Sequence, residues 1–295
     1  MLPSGYAGPM NSTILNTLGA TTTLGLALLF YASAFFLLWR SLTQRRQQIA
    51  DIDTAPNNVV TTRYALSATA IGLLFQVAVT SEKLIQHEPT TSLTMSLLGV
   101  SNLVACVMVA VIALSALKVR AENLLLLGLP LAAANLLAMA LLPEGRTQPI
   151  TLASAQIGHI LLSISAYAAL MTAALQSILI GVQERRLRSP QTGLLGVFPP
   201  MESMENLFIS VLWLGLGLLT LSIATGMLFL QDMFDQRLGH HTVLTTLSWL
   251  VYAGFLAGHH FFGWRGVTGV RWNLAAFTLL LMGYLGSKFV IEYLL

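Results

Sequence analysis

Long apolar runs separated by short polar stretches follow one another along the whole 295-residue chain. Each run has roughly the 20 residues that an α-helix needs to cross a bilayer, which is about twice the length of a barrel strand. The pattern predicts eight transmembrane helices, over residues 18–39, 64–81, 93–117, 123–142, 151–182, 206–230, 241–262 and 273–294. Prolines fall between these runs, except for Pro130. Within the runs, we expect small residues such as Gly215, Gly217, Gly283 and Gly286 to permit close contact between helices.

Composition agrees with this interpretation. The chain is 55% hydrophobic and 9% charged, with a mean hydropathy of +0.74, whereas about a quarter of the residues of a soluble domain are charged. Eight spans use roughly 160 residues and leave only connections between them. We therefore predict an all-α integral membrane protein, an eight-transmembrane-helix bundle that forms a single polytopic domain over residues 1–295.

Basic residues give the orientation. Four of the 15 lysines and arginines, namely Lys83, Arg146, Arg237 and Lys288, lie on one side of the predicted membrane, and the other eleven lie on the opposite side. Cytoplasmic connections retain basic residues, so we predict that both termini face outward. The lysines and arginines at the cytoplasmic ends of the spans favour contact with membrane lipid and do not indicate binding to nucleic acid.

Several kinds of chemistry are not represented. Cys106 is the one cysteine, so the chain has no Cys-x-x-Cys-His for covalent haem attachment and no pair for a disulfide. Phosphate-binding, dinucleotide-binding, nucleophile-elbow and zincin motifs are also missing from the sequence. We therefore expect a protein that is not an enzyme.

Histidines inside apolar spans are costly in hydrocarbon and point to function. His241 and His259 are 18 residues apart on the seventh span, which is about five turns and ~27 Å, so they share a helix face. Thr245, Ser248 and Tyr252 lie along the same face.

A second polar stripe follows the fifth span. It contains Gln156, His159, Ser163 and Tyr167 at helical spacing. On neighbouring helices the two stripes would line one interior site, with His159 and either His240 or His241 at similar depth. Neutral imidazole is a metal ligand, so His159 is a predicted metal ligand with His240 or His241 as the second. We favour His241, because it shares the helix face of Thr245, Ser248 and Tyr252.

Other histidines have a plainer interpretation. His87, His240 and His260 lie near span ends, where wet interfacial side chains are common, and we expect most of them to have no role in a site.

Three motifs in the second half point to a family. They are GHILLSISAYAALMTAALQSILIGVQERRLR from Gly158 to Arg188, PPMESMENLF, and LSWLVYAGFLAGHHFFGWRG from Leu247 to Gly266. Together they resemble the cytochrome c assembly superfamily of integral membrane haem handlers, the CcsA, CcmC and HemX relatives, and within it the YpjD/HemX-type branch most closely. The resemblance is strongest over residues 150–295.

The resemblance implies a site. His159 matches the histidine at the head of its helix, which implies an outward-side axial ligand to a b-type haem held without a covalent bond. His259 falls close to the membrane histidine that precedes the Gly-Trp-Arg-Gly turn. The resemblance also assigns aromatic and basic residues of this region to the cofactor: Trp249, Tyr252, Trp264 and Arg265.

The chain departs from the haem-presenting members in three places. The segment QDMFDQRLGHHTVL stands where they carry a tryptophan-rich loop, and no outward histidine follows GYLGSKF. On the second span Gln76 occupies a position where some relatives carry histidine. We infer from its depth that His241 takes the place of the missing outward ligand.

Two functions remain open. The first is haem handling or assembly support, in company with haem-handling or cytochrome-assembly proteins. The second is a haem-free membrane adaptor that regulates another enzyme or transporter through its cytoplasmic connections, residues 42–62 and 184–205. Transport of a small solute has only generic support.

The basic asymmetry makes a topological prediction. Reporter tags at Gln48 and Gln191 should be cytoplasmic, and tags at His87, Gln148 and Leu295 should lie outside, because positive loops resist translocation. Paired reporters that are active on opposite sides of the membrane measure this. A tag at Gln191 that is active outside would reverse the orientation.

Overall fold

Helices make up nearly all of the described chain. The computed structural model describes residues 9–48, 58–86, 92–93, 95–119, 121–143, 154–187, 199–229 and 239–294. Within these, the α-helices are α1 (Pro9–Gln48), α2 (Asn58–Leu84), α3 (Leu97–Lys118), α4 (Glu122–Leu141), α5 (Ser154–Leu187), α6 (Met201–Phe229), α7 (Gly239–Phe262), α8 (Val267–Leu281) and α9 (Ser287–Phe289). Two residue pairs, β1 (Ile85–Gln86) and β2 (Ser92–Leu93), form a short antiparallel ladder.

Each predicted span corresponds to a helical segment, so the all-helical fold class is confirmed. The last span is not one regular helix, because π-helical turns at Met282–Gly286 and Val290–Leu294 lie on either side of α9. Several helices extend beyond the apolar runs, since hydropathy marks only the part of a helix suited to hydrocarbon. His87 and most of the connections lie outside the described residues.

Six helices in the described part of the chain, α1 to α6, are long and apolar enough to cross a membrane. The last two long segments, α7 and the one that begins with α8, do not belong to that group, and each has a physical reason. The α7 helix carries four histidines at its ends, and α8 has only 15 residues before the first π-helical turn. The protein is a multi-pass membrane protein.

The helices form two four-membered groups. In the first, α1 contacts α2 and α4, and α3 contacts α2 and α4. In the second, α5 contacts α6 and α8, and α7 contacts the same two helices. The α5 helix also packs against α3 and α4, so it joins the two groups.

The start of α3 is held by the far end of the chain. The apolar pattern predicts a span from residue 93, but the helix begins at Leu97, where the Ser96 hydroxyl accepts a hydrogen bond from the Gly99 N–H at 3.1 Å. The Leu97 N–H donates to both carboxylate oxygens of Glu292, at 3.0 and 2.9 Å. A carboxylate at a helix N-terminus satisfies free N–H groups and complements the helix dipole.

A buried hydrogen-bonded chain crosses the first group. The Tyr31 hydroxyl donates to the Gln76 side-chain oxygen, and the Gln76 amide donates to Asn102 Oδ1 at 2.8 Å. Asn102 Nδ2 then donates to Thr80 Oγ1 at 2.5 Å. The chain joins α1, α2 and α3, so Gln76 has a structural partner on both sides.

Glycines permit close packing at two of four predicted positions. A Cβ on Gly215 would meet Leu170 Cδ2 at 2.6 Å, and one on Gly283 would meet Leu244 Cβ at 3.2 Å. A Cβ added to Gly217 or Gly286 would have no described atom within 4 Å, so the prediction of close contact at these two positions is wrong.

The buried hydrogen bonds among Tyr31, Gln76, Asn102 and Thr80 lead to a stability prediction. Asn102→Ala should lower the free energy of unfolding by about 1–2 kcal/mol, because it leaves the Gln76 amide and a Thr80 lone pair without their buried partner. Asn135→Ala is the matched control, since Asn135 bonds only to Leu131 in its own helix turn. Unfolding of purified protein in mixed detergent measures both. Equal losses of unfolding free energy in the two variants would contradict a structural role for this hydrogen-bond network.

Candidate functional site

A cavity of about 340 Å³ lies at the end of the bundle where α3, α5 and α7 begin. We call this the His159 end and the opposite end the Trp264 end. Five helical segments contribute the lining, which is mostly apolar. Its residues include Val100, Val104, His159, Ile164, Tyr167, Leu219, Ile223, His241, Thr245, Tyr284 and Lys288.

His159 is positioned by a contact with α6. Its Nδ1 lies 3.1 Å from Thr225 Oγ1, and the Thr225 hydroxyl is also within hydrogen-bond distance of the carbonyls of Leu221 and Ser222, at 2.8 and 3.0 Å. A carbonyl can only accept, so when Thr225 donates to one of them its oxygen accepts from His159 and Nδ1 carries the imidazole proton. Nε2 is left with a lone pair, which is the form of histidine that binds a metal.

A second polar contact supports the first. The Ser163 hydroxyl donates to the His159 carbonyl at 2.8 Å and lies 2.7 Å from the Ser222 hydroxyl, which donates in turn. His159 and Ser163 are one turn apart on α5, and Ser222 and Thr225 are one turn apart on α6. These two contacts, His159–Thr225 and Ser163–Ser222, thus fix the rotation of α5 against α6 and orient the His159 side chain.

His241 lines the same cavity from α7. Its ring meets the edge of Tyr284, with ring centroids 6.2 Å apart, and Tyr284 also meets Tyr167 at 5.6 Å. The structure thus brings the predicted pair, His159 and His241, to one cavity. The aromatic rings hold His241 by packing, whereas His159 is held by a hydrogen bond.

The rest of the α7 stripe continues inward from the cavity. Thr245 lines it, and Ser248 donates to the Ala276 carbonyl at 2.7 Å. Tyr252 is 0% exposed and does not line the cavity. In the described part of the chain, the Tyr252 hydroxyl forms no hydrogen bond.

Trp249 lies elsewhere. Its indole N–H donates to Thr220 Oγ1 at 2.8 Å and so ties α7 to α6. It is not among the residues that line the cavity. The structure therefore gives Trp249 a helix-packing role.

The other predicted site residues lie at the Trp264 end. His259 Nδ1 is 2.7 Å from the Trp264 carbonyl, which can only accept, so His259 donates to the turn. Gly263 and Gly266 have φ of +67° and +60°, which confirms the sharp reversal predicted for Gly-Trp-Arg-Gly. His259 is thus separated from the His159 cavity along α7.

Two acidic residues support this turn. The Gly266 N–H donates to Glu205 Oε1 at 3.0 Å, and a Cβ on Gly266 would lie 2.9 Å from Glu184 Oε2. The three sequence motifs of the second half therefore meet at one place. The cavity beside them, which Trp264 and Arg265 line, has only about 10 Å³ and gives no room for a large ligand.

Sequence reasoning missed several residues of the larger cavity. Thr225 and Tyr284 were not singled out, because nothing in one sequence says which turns of α6 and the last helix face His159. Lys288 and Glu292 offered a usable signal: opposite charges four residues apart in an otherwise apolar segment.

Comparison with known proteins places the chain in a family. The chain matches the family described as "Cytochrome C assembly protein" over residues 21–295. It belongs to the cytochrome c assembly protein family. This match includes the first four helices, which the sequence motifs alone did not cover.

Two individual relatives are similar to parts of the chain. The chain is 28% identical over 228 residues to the inner membrane protein YpjD of Escherichia coli K12, which covers 77% of this chain and 86% of that protein. It is 36% identical over 140 residues to an uncharacterized 28.8 kDa protein from the nifR3-like 5' region of Azospirillum brasilense, covering 46% of this chain and 52% of that protein. No solved structure matches the chain.

The Trp264 end makes a prediction about packing. Gly258→Ala should lower stability by about 1–2 kcal/mol, because the new Cβ would lie 2.2 Å from the Trp264 ring and push it off the helix. Gly254→Ala should be neutral or slightly stabilising, since its nearest neighbour is 3.8 Å away and alanine favours the helix. Melting temperatures in detergent compare the two. A Gly258→Ala variant as stable as Gly254→Ala would be inconsistent with this packing.

Proposed function

We propose that the protein is a haem-handling protein of the bacterial inner membrane, which holds a b-type haem noncovalently in the His159 cavity. The observation that carries the proposal is the position of the His159 imidazole, which lines the cavity and whose Nδ1 lies 3.1 Å from Thr225 Oγ1, so that Nε2 is the nitrogen left for a ligand. Membership of the cytochrome c assembly family supports it.

The residues present fit such a group. The cavity volume of about 340 Å³ falls in the ~300–1,000 Å³ range of ligand pockets. Apolar side chains dominate its lining, as a macrocycle requires, and the imidazoles of His159 and His241 both reach it. His159 and His241 would hold the group through their imidazoles, and haem would supply an iron centre there.

Each protein group has a distinct task. Thr225 holds the His159 ring in the ligating tautomer, and the Ser163–Ser222 contact fixes the helix that carries it. Tyr284 packs against His241 and limits its rotation. His259, Trp264 and Arg265 maintain the turn at the opposite end.

Orientation completes the proposal. We propose that all eight long helical segments cross the membrane, with both termini and the His159 end outward, as the distribution of basic residues indicates. The Trp264 end then faces the cytoplasm. Haem-handling or cytochrome-assembly proteins would meet the cavity from outside, and the chain itself would carry out no catalytic step.

Haem content tests the proposal. Wild-type protein purified after growth with ample haem should show a Soret band, and acid acetone should extract the haem. His159→Ala should lose most of it, Thr225→Val should bind it about 10–100-fold more weakly, and His241→Ala should shift the spectrum. His260→Ala, which alters an exposed histidine at the opposite end, is the control.

The contrary outcome is equally clear. A colourless wild-type protein, or a His159→Ala variant with an unchanged spectrum, would reject the ligand assignment. The haem-free adaptor would then be the better explanation of the chain.

A further inference from the structure

Lys288 brings a full positive charge to the wall of the His159 cavity. Among the described residues that line it, Lys288 alone is charged at neutral pH when the histidines are neutral. A lysine in the membrane part of a protein is costly unless it pairs or binds. Its position is therefore informative about the molecule that the cavity accepts.

The Lys288 ammonium is only partly engaged. It pairs with Glu292 Oε1 at 3.0 Å and donates to the Met95 carbonyl. An ammonium group has three N–H donors, and these contacts use two of them. Within the described residues one donor therefore remains, and Lys288 lines the cavity.

The local charges favour a singly charged anion. Lys288 contributes one positive charge and Glu292 one negative charge, and the Leu97 N–H at the start of α3 already binds both Glu292 oxygens. The N-terminus of α3 adds roughly half a positive charge. The balance at this corner is thus slightly positive, which suits one carboxylate better than a doubly charged phosphate.

We propose that the cavity recognises an apolar molecule through a terminal carboxylate, which binds the Lys288 ammonium while the apolar body lies against the cavity wall. The inference deepens the proposed function, since it concerns the same cavity and names the group that the bound molecule carries. Porphyrin carboxylates and fatty acids share this chemistry. Glu292 competes with the ligand for Lys288 and so sets the strength of binding.

Iron-free ligands separate this inference from axial ligation. Fluorescence titration of the purified full-length protein would use protoporphyrin and a fluorescent long-chain fatty acid, each with its methyl ester. We expect at least one of the two acids to bind about tenfold more tightly than its ester. The acid with the higher affinity identifies the source of the carboxylate.

Variants identify the residue. Lys288→Met should abolish the preference for acid over ester, and Lys288→Arg should retain it. Glu292→Gln should strengthen acid binding several-fold, because it removes the competing charge but keeps an acceptor for the Leu97 N–H. If the Lys288–Glu292 pair only stabilised the fold, Glu292→Gln would weaken acid binding instead of strengthening it. Lys83→Met, an exposed lysine at the same end, is the control.

Outcomes divide cleanly. Equal binding of acid and ester by the wild type, or an unchanged preference in a folded Lys288→Met variant, would overturn the inference. Weaker acid binding by Glu292→Gln with unchanged ester binding would do so as well. His159→Ala should leave the acid preference intact, so loss of haem binding and loss of carboxylate recognition are separately visible.

Discussion

Hydrocarbon offers no hydrogen bonds, so a polar side chain that a helix carries into the bilayer is stabilised by a partner inside the protein. This constraint organises the whole bundle. Tyr31, Gln76 and Asn102 satisfy one another across the first helical group, and the Asn273 amide donates to Ser177 at 3.0 Å within the second. Packing alone would leave helices free to rotate, whereas these bonds specify which face of each helix turns inward.

The His159 end shows the same constraint put to another use. Thr225 and Ser222 bond to α5 side chains and, in doing so, position the His159 imidazole against α6. At the Trp264 end, His259 and Glu205 use their hydrogen-bonding capacity on a glycine turn. His241 and His259 share one face of α7 and yet have different roles. His241 lines the cavity, whereas His259 donates a hydrogen bond to the Trp264 carbonyl.

Much of this was visible in the sequence, for physical reasons. A span of about 20 apolar residues is a strong signal, and helical periodicity placed His159 and His241 on inward faces. Helix neighbours were not predictable from one sequence, so Thr225 and Tyr284 went unnoticed. Hydropathy also gave no warning of the π-helical turns in the last segment, since a change of helix type alters the hydrogen-bond register and leaves the apolar composition unchanged.

The bond between Leu97 and Glu292 joins positions 195 residues apart. Because a chain is made from its N-terminus, α3 has to wait for nearly all of the later helices before its first N–H receives this partner. The wall that Lys288 and Tyr284 contribute arrives at the same late stage. The cavity is thus closed by a segment that is synthesised after α1 to α8, so its complete wall forms only once all of these helices have been made.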